Sequence, residues 1–268
     1  MIVATAIVLA AQRAGRLDPL AERAGVSHKC LVPIGGVPLI THVLTTLAAT
    51  PGIAAIRVVI EREAFDLLRP VLRTVAGAPV ELIAAADNLA DSVGAGAKGA
   101  ATPLIITTAD NALLSTEAVG EMLDCLADGA EGVVALATRD AVLAAHPEGQ
   151  RRFYELRDNA YSNCNLYALS GPKALSAAEA FRGGGQFAKS ARRIIVAFGL
   201  LNLLSLRFRL ISVDTAMKRL SRRFGVKLRA VILADGAHAI DVDNERTYAI
   251  VDQLLPGRAR PAFAIAAE

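Results

Sequence analysis

The chain has 268 residues, 53% hydrophobic and 21% charged, enough for one large α/β domain or two small ones and unlike a disordered, collagen-like or disulfide-stapled chain. Its formal charge is only +3, yet Lys189 to Arg229 holds eleven basic residues against the single acid Asp214, so that segment carries +10 and the remainder −7. Such a local excess points to an anionic partner or surface, with a solvated basic helix face as the ordinary alternative.

The first run, Ile2–Leu9, is apolar and short, follows no basic residue and gives way to polar sequence. It reads as a buried strand rather than a signal peptide, so a cytoplasmic protein is expected. Four further runs rich in Val and Ile follow: Ala55–Ile60, Val80–Ile83, Leu104–Thr107 and Gly132–Ala137. Between them Leu39–Ala49, Glu63–Arg73, Val93–Ala101 and Ser115–Ala127 have helical length and spacing, with Ser92 and Ser115 at N-cap positions. This alternation predicts an α/β fold with a doubly wound, mostly parallel central sheet.

After about residue 138 the rhythm changes. The HPEGQ loop leads into an antiparallel-looking hairpin with a strand at Asn165–Leu169, and a helical block is expected from Lys173 to Arg223, interrupted at Gly183–Gly185. Lys227–Leu233 reads as a returning strand and Glu245–Leu255 as a closing helix capped by Asn244. The expected organisation is one domain over 1–255, with a basic helical insertion at 173–226 and a frayed tail at 256–268. The apolar run Ile194–Leu206 has 13 residues, short of the ~20 that span a bilayer, so a buried helix is favoured over an interfacial one. Cys30, Cys125 and Cys164 are odd in number, far apart and form no CxxC pair. Buried free thiols in a reducing compartment are expected, without zinc or disulfides.

Candidate chemistry begins at the end of the first strand. There a small-residue turn with Arg13 and Arg16 is followed by Lys29 and a Gly-Pro turn, Gly36-Val37-Pro38-Leu39, ahead of a helix. Backbone N–H groups and cations at a strand end are a means of holding nucleotide phosphate. The segment resembles the signature of MobA-like NTP transferases, nucleotidyltransferases of the GT-A type (Rossmann-like) fold, through Leu9-Ala10-Ala11, Arg16, Lys29 and the Gly-Pro turn. Two loop glycines of that signature are replaced, by Gln12 and Ala14, while Gly15 sits one place along, so phosphate cradling needs a modified backbone path.

LIITTADNALLS matches a second element of the family, which implies that Asp110 binds magnesium at the end of a central strand. AIDVDNERTYAIVDQLL resembles a late element, which implies Asp243 as the second ligand, with Asp241 as the alternative. A capped surface helix would also explain the latter. ADNLADSVGAG, with Asn88, Ser92 and Gly94, lies where the family reads the base, although a helix start would explain it equally. In YSNCNLYAL, Asn163 and Asn165 correspond to the acceptor side, where amides satisfying a sheet edge are the alternative.

The resemblance implies a Mg2+-dependent nucleotidyltransferase. Asp110 and Asp243 would hold the metal, Arg16 and Lys29 would neutralise triphosphate charge, the Ala10–Gly15 backbone (Ala10, Ala11, Gln12, Arg13, Ala14, Gly15) would bind phosphate, and Arg13 would be a secondary cation. The expected partners are an NTP and a phosphorylated small-molecule or lipid-precursor acceptor, not nucleic acid, with peripheral contact to an anionic membrane through 189–229. Two rivals stand beside this reading: a metal-dependent GT-A glycosyltransferase, although Asp110-Asn111-Ala112 lacks a second acid, and a nucleotide-binding module without turnover, which the missing glycines favour.

Overall fold

The computed structural model describes residues 2–12, 17–178, 205 and 207–257. The central sheet has eight strands. Ordered across it are β5 (Val80–Ala84), β4 (Ile53–Ile60), β1 (Ala4–Leu9), β6 (Leu104–Thr108), β9 (Ala160–Leu169), β7 (Gly132–Thr138) and β10 (Leu228–Leu233), with β8 (Tyr154–Glu155) added beside β9. Among the described strands β9 alone runs against the rest: it is antiparallel to β6, β7 and β8, whereas β1 with β4, β1 with β6, β4 with β5 and β7 with β10 are parallel. The expected doubly wound, mostly parallel sheet is therefore present. Its parallel strands end along one edge, and that is where open α/β sheets bind ligands.

The continuous apolar runs are the strands buried on both faces, β1 above all, where Ala4, Ala6, Ile7 and Val8 are at most 1% exposed. One face is covered by α2 (Leu39–Ala49), from which Leu39, Ile40, Val43, Leu44 and Leu47 are fully buried. Each contributes about 1.5–3 kcal/mol of apolar burial. α5 (Thr116–Ala127) packs beside it, started by the Ser115 cap as expected. The other face carries α4 (Leu89–Ala97), seated on β1 and β4 at Gly96, where a Cβ would lie 2.9 Å from Ile7 and Val59 methyls. Helix and sheet approach this closely because the residue there has no side chain.

Several boundaries differ from the sequence expectation. α4 begins four residues early, because the Asn88 side-chain Oδ1 accepts Asp91 N–H at 3.0 Å, while Ser92 lies inside the helix. β9 starts at Ala160 rather than Asn165. Short helices α1 (Pro19–Arg23), capped by Asp18, and α6 (Arg139–Ala145), capped by Thr138, occupy segments to which the sequence pattern assigned no element. β2 (Pro33–Ile34) and β3 (Val37–Pro38) form a tight hairpin whose central Gly35 and Gly36 have φ of 54° and 86°, the left-handed conformation such a two-residue turn requires.

Of the expected helical block, α7 (Pro172–Ala178) and α8 (Val213–Phe224) are described, and Gly183–Gly185 and the apolar run from Ile194 lie outside the described residues apart from Ser205. The tail lies outside them from residue 258 onward. α9 (Glu245–Leu254) closes the fold with the expected Asn244 cap. Among the described residues no helix is long and apolar enough to cross a membrane.

Candidate functional site

Three loops meet beyond the ends of β1, β6 and β10. Lys29 starts a single 3-10 turn, Lys29–Leu31, that runs into the β2–β3 hairpin. The hairpin is fastened to α9 by the Tyr248 hydroxyl, which donates to the Pro33 carbonyl at 2.7 Å, and by Gly35 N–H, which donates to the Asp252 carboxylate at 3.3 Å. Asp110 follows β6 directly. Its backbone carbonyl accepts from Val242 N–H at 3.1 Å, pinning the chain after β10 against the strand end.

That second chain alternates in character. Ile240 and Val242 are fully buried in the apolar core, so Asp241 and Asp243 are left facing the strand ends. Asp243 stands just ahead of α9, where Asn244 and Thr247 form a reciprocal capping box and the Thr247 hydroxyl also accepts Asp243 N–H at 2.9 Å. The partial positive charge of a helix N-terminus favours a carboxylate there.

Lys29 is the hub of the cluster. Its ammonium donates to Asp110 Oδ2 at 2.5 Å and to Asp243 Oδ1 at 3.5 Å. Burial is the largest influence and would lower the lysine, but the Asp110, Asp243 and Asp18 carboxylates together outweigh it, and the pKa lies above the usual lysine value. Asp110 is 14% exposed and Asp243 62%, so the pair spans the floor and rim of the crevice. Asp241 is buried and accepts from Asn165 Nδ2 at 2.5 Å. Burial first, and then the neighbouring Asp110 and Asp243 carboxylates, hold its pKa well above the ordinary aspartate value.

Asn165 reaches Asp241 because the β7–β9 ladder slips in register between Val134 and Leu136, and Asn165 adopts a φ of 47° at this irregularity. A non-glycine residue in the left-handed region is uncommon, and asparagine tolerates it best. Asn163, on the same face, donates to Asn165 Oδ1 at 3.1 Å and to the Tyr167 hydroxyl at 2.5 Å. The two asparagines thus form a polar strip running toward the carboxylates. Tyr167, absent from the sequence expectation, belongs to it through the i, i+2, i+4 period of a strand.

The loop after β1 is tied down by side chains that sequence reasoning missed. Gln12 N–H donates to Glu61 Oε1 at 2.7 Å, its side-chain amide donates to the Ser27 carbonyl at 2.8 Å, and His28 lies 3.5 Å from the second Glu61 oxygen. Ala10 N–H is occupied by the Val59 carbonyl. Ala11, next along the loop, is exposed, while Arg13, Ala14, Gly15 and Arg16 lie outside the described residues. Glu61 directly follows Ile60 at the end of β4, and that position is the only hint the sequence offers. Asn88 caps α4 at the end of β5, Ser92 exchanges hydrogen bonds with the Ala86 backbone, and Gly94 faces open space. Asn111 is fully buried and donates to Thr107 and to the Cys164 carbonyl, joining the Asp110 turn to β9.

Within this cluster two carboxylate oxygens, Asp110 Oδ1 and Asp241 Oδ1, are buried with no hydrogen-bond partner. Hard oxygens of this kind suit a divalent cation such as magnesium, which takes one or two carboxylates and completes its shell with phosphate and water. Among the described residues no group of three His, Cys, Asp or Glu side chains could hold a metal by itself.

The fold has close likenesses among solved structures. A hypothetical transferase from Thermus thermophilus is 24% identical, with a TM-score of 0.71 over 92% of this chain and 100% of that one. A 4-diphosphocytidyl-2C-methyl-D-erythritol synthase from Anaerococcus prevotii is 13% identical, with a TM-score of 0.60 over 95% and 99%. A CMP:2-keto-3-deoxy-manno-octonic acid synthetase in complex with CTP is 15% identical, with the same TM-score and coverage. No curated protein matches the chain. A profile of the MobA-like NTP transferase domain matches residues 6–195, more than half of the sequence and the whole stretch holding Lys29 and Asp110, and the chain belongs to that family.

Proposed function

We propose that this protein is a magnesium-dependent nucleotidyltransferase that moves a nucleoside monophosphate from an NTP to a phosphorylated sugar, polyol or related alcohol and releases pyrophosphate. The observation that carries the reading is the Lys29 ammonium held between Asp110 and Asp243 at the ends of the parallel strands. The residues fit a cation: Asp110 and Asp243 would hold it, with Asp241 as the alternative second ligand. When bound, magnesium supplies charge neutralisation to the triphosphate.

The remaining work falls to the protein's own groups. Lys29, now paired with Asp110 and Asp243, would direct its donors to triphosphate oxygens. Arg16 is assigned the same task and Arg13 a secondary one, and phosphate binding falls to the Ala10–Gly15 loop, in which the Ala10 and Gln12 N–H groups are already engaged by Val59 and Glu61. Asn88, Ser92 and Gly94 border the base at the end of β5. Asn163 and Asn165 present amides to the acceptor. An acceptor phosphate is already ionised near neutral pH, so no general base is needed, and catalysis consists of positioning and charge stabilisation.

Two similar folds carry names built on cytidine nucleotides, which makes CTP the first substrate to try. Pyrophosphate release should be measured with each of the four NTPs, magnesium and a panel of sugar and polyol phosphates. Acceptor-dependent release with one NTP is expected. Transfer from a nucleotide sugar instead would establish glycosyl transfer, and NTP binding without release in any combination would leave a binding module.

A further inference from the structure

A second feature lies on the β8–β9 hairpin, away from the carboxylates. Tyr154, Phe208 and Leu210 are 69%, 63% and 60% exposed, among the most exposed large apolar side chains of the described residues. They are neighbours because the segment before α8 runs beside β8. Arg157 N–H donates to the Ile211 carbonyl at 3.0 Å, Arg209 pairs with Glu155, and the Asp158 carboxylate accepts Val213 N–H at 3.2 Å.

Arginines surround these apolar groups. Arg151, Arg152, Arg157, Arg207 and Arg209 are all exposed on the same two segments. The acids there are already engaged: Glu155 by Arg139 and Arg209, Asp158 by Val213 N–H and the Tyr161 hydroxyl. The face is therefore apolar at its centre, with a net positive rim in which five arginines outnumber Glu155 and Asp158. A second copy of this chain docked through the same face would set two rims of the same net sign against each other, which opposes self-association. An interface of hydrocarbon beneath anionic headgroups matches both halves, since arginine stems lie on apolar surface while their guanidiniums bind phosphate.

We propose that this face docks the protein on an anionic lipid surface, with Tyr154, Phe208 and Leu210 entering the interface and the arginines on the headgroups. The inference goes beyond nucleotidyl transfer and does not depend on it.

The test is flotation of the full-length protein with phosphatidylglycerol-containing vesicles and with pure phosphatidylcholine vesicles, at low and high salt. Binding is expected to the anionic vesicles only and to fade as salt rises. Phe208→Ser/Leu210→Ser and, separately, Arg152→Glu/Arg207→Glu should each weaken it at least about tenfold, with circular dichroism unchanged. All four side chains are solvent-facing, and the second pair guards against misfolding of the first. Failure to float with anionic vesicles at low salt overturns the proposal, as does flotation of both variants undiminished from that of the native protein. Sedimentation showing a dimer that Phe208→Ser/Leu210→Ser dissociates, without vesicle binding, would assign the face to a second copy instead.

Discussion

Lys29 and Asp110 are 81 positions apart in the chain and meet at 2.5 Å at the end of the central strand β6, with Asp243 at 3.5 Å from the same ammonium. The lysine neutralises both carboxylates, which on the proposed function a divalent cation would take over. A cation and a triphosphate arriving together would exchange these pairings without leaving a buried charge unmatched.

Asp110→Ala and Asp243→Ala should each abolish turnover while the fold persists. The backbone carbonyl of Asp110 that holds Val242 survives the substitution, and Asp243 is largely exposed. Steady-state kinetics should register a loss of at least ~10²-fold for each, comparable to removing one charge-stabilising group. Near-normal activity in Asp243→Ala would move the second ligand to Asp241.

Lys29→Met leaves the carboxylates unneutralised and removes a cation from the phosphates. We expect kcat/KM for the NTP to fall and product inhibition by pyrophosphate to weaken in parallel. If NTP and pyrophosphate bind this variant as they bind the native protein, Lys29 serves only the carboxylates.

Asn165 offers a way to separate backbone from side chain. Asn165→Gly accepts the φ of 47° but loses the amide that reaches Asp241, so stability should hold while kcat declines. Asn165→Val must also bear the left-handed conformation, which costs about 1–3 kcal/mol, and its denaturant midpoint should drop accordingly. Equal midpoints for the two variants would show that the local backbone relaxes.

The cysteines make a simple check of the fold. Cys30 is buried, and burial followed by the Glu61 carboxylate pushes its thiol up to about 12; Cys164 is buried and also raised. Cys125 is half-buried. A thiol reagent at pH 8 should therefore modify Cys125 first, and Cys30 and Cys164 only after denaturant is added. Rapid labelling of Cys30 in the folded protein would contradict the packing around the Lys29 turn.

The sheet was legible in the sequence because its strands are continuous apolar runs of short, even length, and α2 and α5 because apolar spacing and cap residues agree. Asp110 was legible through its place directly after such a run. What the sequence hid depends on contacts between distant segments. Nothing local announces that Gln12 will be held by Glu61, or that the β7–β9 slip will swing Asn165 onto Asp241. The start of α4 was misplaced because Asn88 and Ser92 are both good caps, and Ser92 instead closes the loop at Ala86 from within the helix.

The most direct test of the central claim is calorimetric titration of the NTP that supports turnover, with magnesium and with the metal chelated, into the native protein and into Asp110→Ala. The site described here requires binding that depends on magnesium and that Asp110→Ala weakens severely in a variant of unchanged thermal stability. Binding of equal strength with and without the metal, and undiminished in Asp110→Ala, would contradict it.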